Sequence, residues 1–281
     1  MKVKIALAQI NPILGDIFKN REKHLEFIER AIKEKAKVIV FPELSLTGYS
    51  LLDLSMEVAL SPDDLFFKEF FELSKYIDIV FGFVEKGVDK IIYNSAMYLS
   101  QGAIKQIYRK IYLPTHGMFQ ELRFFGKGKN VFVFDTDFGR ISMLICRDFF
   151  HPSLLFLSYA GGADFIFALS NMPLRGLSGD KPYIEETVEK AADTYANFLS
   201  MFIVFVNRVG FEDGLGFYGG SFVESPLLVR HGFAGILNEK LTFAEVETND
   251  IYKKRQSFPL LREEDFSLIK QNLERILEGQ K

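Results

Sequence analysis

Asp137-Phe138-Gly139-Arg140-Ile141-Ser142-Met143-Leu144-Ile145-Cys146-Arg147-Asp148-Phe149-Phe150-His151 is the stretch on which the reading of this chain turns. Ile141 to Ile145 is a short apolar run bounded by Gly139 on one side and by charge on the other, the pattern of a buried strand. The run ends on the only cysteine of the chain. Arg147, Asp148 and then His151-Pro152 break the strand at once, which places Cys146 at a strand end. A lone cysteine more often fills a core than attacks a substrate, so its neighbours decide which it does.

Composition limits the choices. A chain of 281 residues that is 48% apolar has enough material for a sizeable core. One large α/β domain over residues 1–281 is the simplest organisation, with no repeat at solenoid spacing, no low-complexity tract and no evident linker. A net charge of -3 argues against a nucleic-acid surface. No apolar run is long enough to span a bilayer. The start, Met1-Lys2-Val3-Lys4-Ile5, lacks the features of a signal peptide, and one cysteine forms no internal disulfide, so a reducing cytoplasm is expected.

Outward from the central stretch, strands and helices alternate. Val3 to Ile10 reads as a strand, Asn20 to Ala36 as a helix with Leu25, Ile28, Ala31 and Ile32 on one face, and Lys37 to Phe41 as a second strand. This is a βαβ-like unit. Asp64 to Tyr76 reads as helical and Ile79 to Val84 as a strand. Ile92 to Leu99 and Ala103 to Tyr108 flank Gln101-Gly102 as a hairpin, and Val131 to Phe134 pairs with Ile141 to Ile145 around Gly139. A short helix is expected from His151 to Tyr159, a strand from Phe165 to Leu169, a helix from Tyr183 to Leu199 and a strand from Phe202 to Val206. Phe222-Val223 and Leu227-Leu228-Val229 are expected as short strands around Pro226, Leu241 to Val246 as the last core strand, and Glu263 to Leu277 as an amphipathic tail helix. Mixed hairpins and crossovers suggest two packed sheets with helices outside.

Glu43, Lys110 and Cys146 each follow an apolar strand-like run, where side chains from different strands can converge. The trio suits nucleophilic acyl transfer. A carboxylate can take the thiol proton, and an ammonium can stabilise the thiolate or the oxyanion of a tetrahedral intermediate. Singly, each has a plainer explanation: a helix-start glutamate, a solvated lysine and a core cysteine.

Phe41-Pro42-Glu43-Leu44-Ser45-Leu46-Thr47-Gly48-Tyr49, Arg109-Lys110-Ile111-Tyr112-Leu113-Pro114 and Ile145-Cys146-Arg147-Asp148 resemble, in order, the three signature segments of the nitrilase (carbon-nitrogen hydrolase) superfamily. Gly15-Asp16 with Asn20, Phe119 to Phe125, Asn207 to Gly210, and Gly220-Ser221 with Pro226 extend the resemblance over most of the chain. It implies an α/β, four-layer αββα sandwich of two mixed sheets flanked by helices, paired into homodimers or larger assemblies. It implies Glu43 as general base and then acid, Lys110 as stabiliser of the tetrahedral intermediate, Cys146 as the thioester-forming nucleophile and Glu121 as a second glutamate that positions the site. The backbone N–H of Arg147 could help hold the oxyanion. No metal and no organic cofactor is implied, and His116 and His151 lack a ligand cluster. Two departures stand out. Tyr195-Ala196-Asn197-Phe198-Leu199 replaces the family's Arg-Ala-x-Glu-Asn, and Leu227-Leu228 follows the late proline where the family often has glycine.

The function expected is hydrolysis of a small linear amide or carbamoyl compound with release of ammonia. Phe41 to Tyr49 and Phe119 to Phe125 most resemble the glutamine-amidase part of glutamine-dependent NAD synthetases. With no synthetase domain after Lys281, a stand-alone amidase is the expectation. Nitrile hydrolysis, and a non-catalytic or ammonia-supplying subunit, are the alternatives. Arg147, His116, Phe119, Asn171 and Tyr49, with Tyr218, are the candidates for substrate contact. The charge of Arg147 beside the nucleophile points toward a carboxylate-bearing substrate.

Overall fold

In the computed structural model, residues 1–174, 176–178 and 181–279 are described. The first half of the chain builds one sheet: β1 (Lys2–Gln9), β2 (Val38–Val40), β3 (Asp78–Lys86), β4 (Ile92–Ser100) and β5 (Ala103–Arg109). The second half builds another from β6 (Phe134–Thr136), β7 (Gly139–Ile145), β8 (Phe165–Ser170), β11 (Phe202–Asn207), β14 (Phe222–Glu224) and β15 (Arg230–His231). Short hairpins, β9 (Leu177–Ser178) with β10 (Lys181–Pro182) and β12 (Val209–Glu212) with β13 (Leu215–Tyr218), lie outside both sheets. The last strand, β16 (Lys240–Glu247), returns to pair antiparallel with β1. The orders are β16-β1-β2-β3-β4-β5 and β15-β14-β11-β8-β7-β6, and both sheets mix parallel with antiparallel pairs.

Period-2 alternation sorts the residues of the first sheet into two cores. Val3, Ile5, Leu7, Val38 and Val40 face the second sheet and pack with Ile141, Met143, Phe165 and Phe167. Ala6, Ala8, Ile39 and Phe41 face outward onto helix α1 (Ile17–Lys33), through Phe27, Ile28 and Ala31, and helix α2 (Lys68–Leu73), through Phe70. The short helix α3 (Glu121–Phe124) follows β5, and helices α4 (Pro152–Ala160) and α5 (Tyr183–Leu199) pack Leu154, Leu155, Val188 and Ala192 into the core of the second sheet. The result is two mixed sheets between helical layers, as the resemblance implied. No helix among the described residues is long and apolar enough to cross a membrane.

Local chemistry sets the ends of the elements. Asp16 caps α1 by accepting the Lys19 N–H at 3.0 Å. Gln101 (φ 54°) and Gly102 (φ 79°) turn β4 into β5 through the left-handed conformations that a two-residue hairpin requires.

Several expectations need correction. The span from Asp64 to Tyr76 is a 3₁₀ turn, Leu65–Phe67, followed by the six-residue α2. The strand opposite β7 is Phe134–Thr136 instead of Val131 to Phe134, because Gly139 at φ 149° closes a turn only two residues long. Leu227 and Leu228 form a turn and not a strand. The Ser225 hydroxyl accepts the N–H groups of Leu227 and Val229, and Leu228 takes φ 59° where glycine would be unstrained. The tail helix, α8 (Phe266–Gly279), follows α6 (Asn249–Ser257) and α7 (Leu260–Glu263). The β12–β13 hairpin had no forecast.

Candidate active site

Two sheets meet at the site. Glu43 follows β2 and Lys110 follows β5, both in the first sheet, and Cys146 directly follows β7 in the second. All three are buried. The Lys110 ammonium lies 2.7 Å from Glu43 Oε1 and 2.8 Å from Glu121 Oε1. Asn94, on β4, donates to the same Glu43 oxygen at 2.8 Å, and the Tyr49 hydroxyl donates to Glu121 Oε1 at 2.6 Å. Glu43 Oε2 is fully buried and has no hydrogen-bond partner among the described residues. Cys146 sits at φ 49°, in the left-handed region that side chains avoid. That strain turns the sulfur sharply out of β7 at the start of the 3₁₀ turn Cys146–Phe150.

The turn is held by Asp148. Its carboxylate accepts from the Tyr108 hydroxyl at 2.8 Å, the Tyr112 N–H at 2.8 Å, the Ile111 N–H at 3.3 Å and the Ile145 N–H at 3.4 Å. One buried side chain thus ties the backbone just before Cys146 to the backbone just after Lys110. The His151 ring stacks on Tyr112 at 3.4 Å and 6°, a second tie between the same two segments. Behind Glu43, His24 is fully buried. Its Nδ1–H donates to the Asn20 carbonyl at 2.7 Å, which leaves Nε2 to accept the Ser45 hydroxyl at 2.9 Å. A side chain on Gly82 would put its Cβ 2.2 Å from the Leu44 nitrogen, so only glycine lets β3 approach the Glu43 loop this closely. On the other flank, buried Arg208 pairs with Glu212 at 2.6 Å, and Glu212 accepts the N–H groups of Tyr49 at 2.8 Å and Ser50 at 2.6 Å.

One ammonium faces two carboxylates in a site closed to solvent. Burial opposes the charge of Lys110, but Glu121 and Glu43 outweigh it and hold the ammonium above its ordinary range. Burial, with Glu43 nearby, pushes the Glu121 carboxyl above its ordinary value against the pull of Lys110. Burial also pushes the Cys146 thiol up, Glu43 adds to that, and Lys110 and the Asn171 backbone only partly offset it. Burial and Glu43 thus favour the protonated sulfur, in contrast to cysteines activated by a resident cation alone. Burial raises Asp148 to about 6 in spite of its N–H donors.

A pocket of about 220 Å³ opens in front of Cys146, lined by Pro114, His116, Phe119, Arg147, Phe150, Met172, Pro173, Tyr183 and Ile184. The thiol contacts Met172 Sδ at 3.9 Å. Arg147, His116 and Phe119 thus share one cavity with the sulfur. Tyr49 does not: it lines a second cavity of about 260 Å³ on the Glu121 side, and its hydroxyl is spent on Glu121. Asn171 is fully buried beside the sulfur and is not part of the pocket wall. Tyr218 is likewise buried. Among the described residues, no group of three or more His, Cys, Asp or Glu side chains could hold a metal ion.

Sequence reasoning passed over Asn94, His24 and the clamp function of Asp148. The one available signal was a polar residue inside an apolar pattern: Asn94 interrupts β4, and His24 lies on the apolar face of α1.

The model of the family described as carbon-nitrogen hydrolase matches residues 4–256. The chain belongs to the carbon-nitrogen hydrolase family, within the nitrilase superfamily. It is 32% identical over 222 residues to a glutamine-dependent NAD(+) synthetase of Acinetobacter baylyi, covering 78% of this chain and 40% of that one. It is 29% identical to a nitrilase of Pyrococcus abyssi, covering 90% of this chain and 97% of that protein. Among solved structures, the glutamine-dependent NAD+ synthetase of Acinetobacter baumannii in complex with ADP superposes with a TM-score of 0.79 at 30% identity, over 89% of this chain and 47% of that one. The chain thus spans less than half the length of these synthetases.

Proposed function

We propose that the chain hydrolyses the carbon-nitrogen bond of a small linear amide through a thioester on Cys146, using Glu43, Lys110 and Glu121. The observation that carries this reading is the free oxygen of Glu43. One of its oxygens is fixed by Lys110 and Asn94; the other is buried and unpartnered, as is Glu121 Oε2, but of the two carboxylates it is Glu43 that acts more strongly on the Cys146 thiol, holding its proton on. A buried acceptor without a donor is costly, and a thiol proton is the donor this site lacks.

In the proposed reaction Cys146 Sγ attacks the amide carbon as its proton moves to Glu43. Lys110 and the Arg147 N–H stabilise the oxyanion. Glu43 then protonates the departing nitrogen, ammonia leaves, and the thioester remains. Water attacks the thioester and gives a proton to Glu43. Collapse releases the acid and returns the proton to sulfur. Glu121 and its donor Tyr49 keep the ammonium in place throughout. Quenched mixtures with a panel of linear amides test this by intact mass. The expected result is an acyl adduct on Cys146 and ammonia release that Cys146→Ala abolishes. Ammonia release that survives Cys146→Ala would end the proposal.

Nitrile hydrolysis is the second reading, supported by the nearly full-length match to a protein named nitrilase. Product analysis with matched amide and nitrile substrates separates the two.

A further inference from the structure

The pocket in front of Cys146 is apolar but carries one permanent charge among its described lining residues. Phe119, Phe150, Met172 and Ile184 form the wall, and Arg147 stands at the exposed mouth. The buried and half-buried arginines among the described residues lie on carboxylates: Arg109 on Glu85 at 2.5 Å, Arg208 on Glu212 at 2.6 Å, Arg230 on Glu224 at 2.9 Å, Arg21 on Glu69 at 2.9 Å and Arg255 on Asp164 at 3.1 Å. Arg147 has no ion pair and no hydrogen bond among the described residues. Its backbone is held by the left-handed φ of Cys146 and by Asp148, whose carboxylate accepts the Ile145 N–H just before the turn and the Tyr112 N–H of the facing segment. No Asp or Glu is among the described residues lining the pocket.

We infer that the preferred substrate is a primary amide whose far end is a carboxylate and which carries no ammonium group: the monoamide of a short dicarboxylic acid. This rests on the amide reading above. The reacting carbonyl sits at the sulfur, the methylenes lie on the apolar wall, and the carboxylate meets the planar fork of Arg147, which suits bidentate pairing. An α-ammonium, as in glutamine, meets no carboxylate among the described residues lining this pocket and is repelled by the same guanidinium. The covalent chemistry is unchanged: the acyl group passes to Sγ, and ammonia leaves with the proton held by Glu43.

Three amides with the same five-carbon acyl chain test the inference: pentanamide, the monoamide of glutaric acid and L-glutamine. The monoamide is expected to exceed both others by about tenfold in kcat/KM, the factor that 1.4 kcal/mol of differential binding gives. A second readout needs no turnover. Alkylation of Cys146 by iodoacetate relative to iodoacetamide is expected to exceed the ratio for a free thiol several-fold. Both preferences, taken as ratios within one preparation, are expected to collapse in Arg147→Gln and to shrink in high salt. Equal rates for pentanamide and the monoamide, glutamine as good as the monoamide, or a preference that survives Arg147→Gln would overturn the inference. If no amide turns over but the alkylation ratio still depends on Arg147, the anion preference of the pocket is supported and the amide reading is contradicted, so the two failures are distinguishable.

Discussion

The two sides of the Cys146 sulfur are built by opposite rules. On one side Glu43, Lys110 and Glu121 are buried, mutually paired and braced from behind by Asn94, Tyr49 and the His24–Ser45 contact. On the other side the pocket wall is apolar, and its one permanent charge among the described residues, Arg147, is exposed and unpaired. Buried charge is tolerated only where partners compensate it, so the first side has one permissible arrangement. The second side can vary at little cost to the fold. Chemistry should therefore depend on the first side and selectivity on the second.

Lys110→Met tests the contrast most severely. It leaves two carboxylates sharing a buried site without a cation, and removing one partner of a buried pair costs about 3–5 kcal/mol. A fall in melting temperature together with loss of turnover by ~10³-fold or more is expected; a variant as stable as the parent would break the comparison. Glu121→Gln keeps the shape and removes one charge. By loosening the ammonium that stabilises the oxyanion it should lower kcat by ~10²-fold with KM nearly unchanged, whereas a change confined to KM would place Glu121 on the selective side. Tyr49→Phe removes one hydrogen bond to a charged group, worth about 1.5–3 kcal/mol, and should cost at least tenfold in kcat. Ile184→Ala, in the wall, should raise KM a few-fold through lost apolar burial and leave kcat within about twofold.

The last effect concerns the dependence of stability on pH. Burial holds His24 at about 3, and the ordinary value in an unfolded chain is 6.5. Between those values the unfolded state binds the extra proton, so stability is present above pH 6.5 and is lost as pH falls toward 3. The slope from this one group reaches about 1.4 kcal/mol per pH unit. Denaturant titrations from pH 7 to pH 4 should show that part of the slope missing in His24→Gln. An unchanged slope would mean that the His24–Ser45 brace does not hold the neutral ring.

The strands were legible because their apolar runs are short and end abruptly. Ile141 to Ile145 and Phe165 to Leu169 fall inside β7 and β8, and Tyr183 to Leu199 matches α5. The convergence of residues 43, 110 and 146 was legible because each follows such a run. The Leu227–Val229 turn was not, since three apolar residues look like a strand until the Ser225 hydroxyl is seen to cap them. Nor was the assignment of Tyr49. Aromatic residues near a nucleophile suggest substrate contact, and only geometry shows that its hydroxyl is committed to Glu121. The thiol was expected to be eased toward thiolate by Lys110; burial and Glu43 together outweigh that ammonium.

The central claim, a common acyl-enzyme on Cys146, is tested most directly by partitioning with hydroxylamine. A single thioester predicts the same ratio of hydroxamate to free acid from a primary amide and from its N-methyl amide, because both leaving groups have departed before the partition. Different ratios, or acid formed with no hydroxamate at any hydroxylamine concentration, would contradict it.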